Sequence, residues 1–118
     1  MMNRKRSGVL LAALLCATAI SAGQAPTPKR IEIVASKFSY APNHITLKKG
    51  EPVILVLNSA DVMHGLKVKE LGFNVEIKKG HDTEVPLTPS AAGHFVGKCS
   101  HFCGMGHGSM TLDIDVTE

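Results

Sequence analysis

Eight short apolar stretches, at 31–34, 45–47, 53–57, 66–68, 73–77, 83–87, 93–98 and 111–116, follow one another with Gly, Pro and Asn residues between them. The turns recur roughly every eight to twelve residues and no segment has the pattern of a helix of three turns, so the apolar side chains are expected to be buried by pairing strands. The chain therefore reads as an all-β sandwich or barrel. In 111–116, Leu112, Ile114 and Val116 alternate with Asp113, Asp115 and Thr117, the period of two of a half-buried strand. The stretch 53–57 is apolar throughout and reads as a central strand covered on both faces, reached through the turn at Lys49, Gly50, Glu51 and Pro52. With no Trp, one Tyr and four Phe, the core must come mainly from Val, Ile and Leu, which favour strands. A chain of 118 residues suffices for one such domain, with neither internal repeat nor low-complexity segment.

The amino terminus is of another kind. Arg4, Lys5 and Arg6 precede an apolar run over 9–20, followed by the small residues Ser21, Ala22 and Gly23. That order is expected of an export signal over 1–23, cleaved after Ala22 or Gly23. The run falls short of the ~20 residues that span a bilayer, so no membrane span is expected in the mature form. Cys16 follows Leu15 where a lipoprotein signal would have a small residue, which argues against lipidation. A linker with Pro26 and Pro28 is expected over 24–30, and the domain over 31–118. Without Arg4, Lys5 and Arg6 the thirteen Lys and Arg become ten, matching ten Asp and Glu. A neutral domain without a basic block gives no reason to expect a nucleic-acid partner.

One stretch between two strands departs from the pattern. Residues 99–110 bring Cys99, His101, Cys103, His107 and Met110 together with Gly104, Gly106 and Gly108. Two thiols, a thioether and an imidazole form a soft donor set that suits copper and excludes calcium or magnesium. Glycines let such a loop wrap closely around a small object. His64, in Asp61-Val62-Met63-His64-Gly65, lies between two strand candidates, and loops at one end of a sandwich converge, so it can reach the same place.

The spacing C-x-x-x-C-x-x-x-H-x-x-M, preceded by D-V-x-H, resembles the dinuclear copper (CuA) domain of cytochrome c oxidase subunit II and is similar to that of nitrous oxide reductase. The likeness runs over roughly 53–116 and includes Leu71-Gly72 and Gly93-His94-Phe95. It implies an exported Greek-key cupredoxin sandwich carrying electrons without substrate turnover of its own. Cys99 and Cys103 would bridge two copper ions, with His64 and His107 each binding one, Met110 a weak ligand and the His101 carbonyl the sixth donor. Bridging thiolates delocalise one electron hole over both metals, which keeps geometry nearly constant on reduction. The implied partner is a redox protein, either a c-type cytochrome or a terminal oxidase or reductase. The chain departs from the family in having no Trp for an electron-receiving patch, and in placing His101 where oxidases typically have an acid. The short leader, the near-neutral charge of the domain and the missing Trp point to a soluble or loosely held periplasmic shuttle.

Other readings of the same residues stay open. A mononuclear type 1 centre would use His64, one cysteine, His107 and Met110. A Cys2His2 zinc site would leave Met110 unexplained. A Cys99–Cys103 disulfide is the usual fate of a pair in an exported protein. A periplasmic copper carrier would use the same ligands without redox duty. His44, His81 and His94 read as solvated, Met63 and Met105 as packing, and Phe38, Tyr40, Phe73 and Phe95 as core or core edge, with Phe102 set apart by its place in the loop.

Overall fold

The computed structural model describes residues 27–118. The expected signal over 1–23 and the first residues of the expected linker lie outside them. Among the described residues nine strands form two sheets: β1 (Lys29–Ser36), β2 (Ser39–Ala41), β3 (His44–Lys48), β4 (Val53–Ser59), β5 (His64–Val68), β6 (Phe73–Ile77), β7 (Thr83–Leu87), β8 (Gly93–Lys98) and β9 (Thr111–Thr117). The first sheet has the order β2-β1-β4-β7, the second β3-β9-β8-β5-β6. The pairs β1–β4 and β3–β9 are parallel, the rest antiparallel. Parallel neighbours distant in sequence are the crossovers of a sandwich whose chain passes between sheets. Among the described residues the only helical pieces are 3-10 turns at Lys69–Leu71 and His107–Ser109, and no helix is long and apolar enough to cross a membrane.

The core is aliphatic, as the composition requires. Ile33, Leu55 and Leu57 of one sheet meet Leu66, Ile77, Leu112 and Ile114 of the other, all fully buried. Strand β9 buries Leu112, Ile114 and Val116 and turns Asp113, Asp115 and Thr117 outward, as its alternation predicts. Strand β4 lies between β1 and β7 and buries residues on both faces, consistent with its unbroken apolar run. Strand β1 begins at Lys29, two residues inside the expected linker, because Lys29 and Arg30 pair with Val53 and Ile54 and Arg30 bonds Glu84. The short strand β2 escapes the periodicity, since three residues before a proline carry no repeat, yet its Tyr40 is buried.

These elements place the two ligand-bearing segments together. The loop 99–110 leaves β8 and returns into β9, neighbours in the second sheet, and the Cys99 amide donates to the Met110 carbonyl at 3.3 Å. His64 opens β5, on the other side of β8. Gly65 permits this approach: a Cβ there would lie 2.4 Å from Ser100 Oγ and 3.0 Å from the His101 nitrogen.

Candidate metal centre

The loop's own hydrogen bonds set the spacing of its donors. His107 N donates to Gly104 O at 3.2 Å, Ser109 N to Gly106 O at 3.0 Å and Met110 N to His107 O at 3.2 Å. This single turn directs His107 and Met110 back toward the cysteines. It depends on Gly106, whose φ of +106° disfavours any side chain, and a Cβ there would meet the Phe38 ring at 3.0 Å. Phe38 thus supports the loop from the turn between β1 and β2.

The donors form a continuous chain of contacts. Cys99 Sγ donates to the His101 carbonyl at 3.0 Å and lies 3.6 Å from Cys103 Sγ. Cys103 Sγ lies 3.6 Å from His107 Nδ1 and 4.0 Å from Met110 Sδ. A ring nitrogen of His64 and the two sulfurs lie within 4.8 Å of one another. All six residues named from the sequence, His64, Cys99, His101, Cys103, His107 and Met110, therefore converge. Both cysteines are free and buried, and 3.6 Å is well beyond a disulfide bond. His64 and Met110 are fully buried, whereas His107 is half-buried and marks the solvent side.

His64 carries the most specific signal. Its Nε2–H donates to Asp61 Oδ1 at 2.6 Å, while its Nδ1 is buried without any hydrogen-bond partner. A carboxylate on one ring nitrogen and an unshared lone pair on the other is the arrangement by which a metal-binding imidazole is oriented. Partial burial pushes the Asp61 carboxyl up, but the Lys37 amide, the His64 ring and the Val62 amide outweigh it and hold the group well below the usual carboxylate range. Asp61 stays ionised and keeps the His64 tautomer with Nδ1 free. Around the sulfurs the balance is reversed: burial first, then the Cys99 thiol, pushes Cys103 up to about 11. A buried imidazole with an unpaired nitrogen, close to two thiols that in turn reach a thioether, fits a soft cation such as copper.

Some supporting contacts are absent from the sequence reading. Asp61 was legible as part of D-V-x-H, but its bond to His64 was not. Tyr40 is buried beneath the site, its hydroxyl donating to Gly65 O at 2.6 Å, and burial beside Cys99 and Cys103 keeps it protonated. His44 and His94 are exposed as expected, but both bond Asp115, at 2.6 and 2.7 Å. His81 is exposed and Met105 fully so, whereas Met63 is half-buried. Phe102 is 72% exposed with its ring centroid 5.9 Å from that of His107.

Comparison with known proteins agrees with this geometry. The family described as the cupredoxin-like domain matches residues 8–112. Cytochrome c oxidase subunit 2 of Thermus thermophilus is 32% identical over 93 residues, covering 79% of this chain and 69% of that protein. Across such curated relatives the chain spans from 22% to 69% of their length. The periplasmic domain of subunit II of cytochrome oxidase of Bradyrhizobium japonicum has the same fold, with a TM-score of 0.72 at 19% identity, covering 79% of this chain and 87% of that one. The metal-binding domain of the Cu(I)-exporting P-type ATPase of Streptococcus pneumoniae D39, solved with Cu(I), superposes with a TM-score of 0.61 at 26% identity, covering 75% and 85%. The chain belongs to the cupredoxin-like family and, within it, to the relatives of cytochrome c oxidase subunit 2.

Proposed function

We propose that this domain is an extracytoplasmic electron-transfer protein with a CuA-type dinuclear copper centre, held by Cys99, Cys103, His64, His107, Met110 and the His101 carbonyl. The observation that carries the reading is the buried, unpartnered His64 Nδ1 beside two free thiols. Copper bound there supplies a one-electron couple. The chain does the rest. Asp61 fixes the His64 ring, the Cys99–Met110 backbone bond closes the loop, and Phe38 braces it. Donors fixed by a packed sandwich move little between oxidation states, which lowers the reorganisation that slows electron transfer. The Cys103 thiol must lose its proton on loading, so metal affinity rises with pH. His107, half-buried and against the exposed Phe102, gives the site its outward edge. The partner in this reading is a redox protein, a c-type cytochrome or a terminal oxidase or reductase.

The likeness to a Cu(I)-bound domain of an exporter favours a second reading, a copper carrier. Burial of the donors argues for retention. Repeated reduction and reoxidation of the loaded protein in excess of a Cu(I) chelator separates the two. An electron-transfer domain keeps its copper through many cycles, while a carrier surrenders it in the first reduced state.

A further inference from the structure

The outer face of the second sheet carries an uncompensated charge beside the ligand loop. Lys67 of β5 and Lys98 of β8 stand directly opposite each other in the antiparallel register. Like charges in that position destabilise a sheet. Lysines often guard the edges of sheets, but β5 and β8 are interior neighbours in the order β3-β9-β8-β5-β6, so that explanation fails here. Lys69 and Glu70 line the same shallow cleft with Val96, leaving three lysines against one acid. All ten Asp and Glu lie in the described part of the chain, yet none comes within ion-pair distance of Lys67, Lys69 or Lys98. Elsewhere on this sheet face the acids Asp113 and Asp115 are matched by His44 and His94. The lysine cleft adjoins the site. Lys98 precedes Cys99, and Lys67 lies two residues beyond Gly65, which packs against Ser100 and His101.

We propose that Lys67, Lys69 and Lys98 form the docking face for an acidic redox protein. This rests on the electron-transfer reading above and names the partner's chemistry. Complementary charge steers the encounter and seats the partner next to the ligand loop. One electron then passes from the reduced partner to the oxidised site, with no bond or proton exchanged.

Stopped-flow reduction of the copper-loaded domain tests this with three donors: a ferrous acidic bacterial cytochrome c, a ferrous basic mitochondrial cytochrome c, and hexaammineruthenium(II). The acidic cytochrome should reduce the wild type faster at low than at high salt, and the basic one should show the opposite dependence. The double variant K67E/K98E should lower the acidic cytochrome's second-order rate constant about tenfold or more at low salt. K67Q/K69Q, which leaves Lys98 beside the ligands untouched, should lower it in the same direction, and K48E should leave it unchanged. The cationic ruthenium complex should reduce every variant without slowing. Faster reaction with the basic cytochrome, or an acidic-cytochrome rate indifferent to both lysine variants while ruthenium still reduces the site, overturns the docking face alone. A loaded wild type that ruthenium cannot reduce overturns the electron-transfer reading, and the docking proposal with it.

Discussion

Replacing His64 by leucine, a side chain of similar volume, separates what this residue does for the fold from what it does for the metal. In the metal-free protein its Nδ1 is a buried polar atom without a partner, a defect of about 1–3 kcal/mol. Leucine removes that defect. It also removes the Nε2–H bond to Asp61, worth about 1.5 kcal/mol at the lower end for a charged acceptor. The lower end applies because Asp61 is 33% exposed and keeps the Lys37 and Val62 amides at 2.8 and 2.6 Å. The two effects nearly cancel, so metal-free His64→Leu should fall within about 1 kcal/mol of the wild type. Copper changes the comparison. A ligand that binds only the folded state adds RT ln(1 + [L]/Kd), about 4 kcal/mol at a thousandfold excess over Kd, and the variant should forfeit most of this. Urea unfolding with reduced thiols, with and without copper, measures both quantities. Loss of more than about 3 kcal/mol in the metal-free state would mean that both ring nitrogens are satisfied and that His64 is structural.

Three further outcomes follow from the same geometry. Met110→Leu, a volume-conserving change at a fully buried position, should cost less than about 1.5 kcal/mol and leave copper bound while shifting the reduction potential, whereas Cys99→Ser or Cys103→Ser should abolish the centre; metal analysis with voltammetry reads both. Gly106→Ala forces a side chain onto φ +106° and against Phe38, which should destabilise the loop by about 1–3 kcal/mol and speed copper loss to a chelator, and an unchanged loss rate would contradict the bracing role. On the outer sheet, the bond to Asp115 raises the His94 pKa, while bonds from His44 and then His94 lower that of Asp115, so the cluster stabilises the fold above about pH 4 and loses that contribution as pH rises past about 6.5 through the His94 folded value. The difference in Tm between wild type and Asp115→Asn should therefore peak in that window, and a difference independent of pH would refute it.

Much of this was legible because the fold and the ligand set are written in local patterns. Strand β9 alternates strictly and β4 not at all, which revealed one face buried in the first and two in the second. The ligands in 99–110 sit at spacings of four, four and three, which one loop can turn toward a common point. What stayed hidden depends on contacts across the sandwich. Phe38, which braces the loop, and Tyr40, which bonds Gly65 beneath it, lie some sixty residues before the loop in a segment too short to show a period. The joining of His44, His94 and Asp115 needs the register of β3, β9 and β8, which no single strand displays. The Lys67–Lys98 pairing is hidden for the same reason.

In the proposed centre two thiolates would hold two copper ions that share one electron hole. Metal analysis of the purified, copper-loaded domain, combined with its electron-spin resonance spectrum in the oxidised form, tests this most directly. Two coppers per chain are expected, with a hyperfine pattern in which one unpaired spin is divided between two equivalent copper nuclei. One copper per chain with a four-line pattern would contradict it and establish a mononuclear centre.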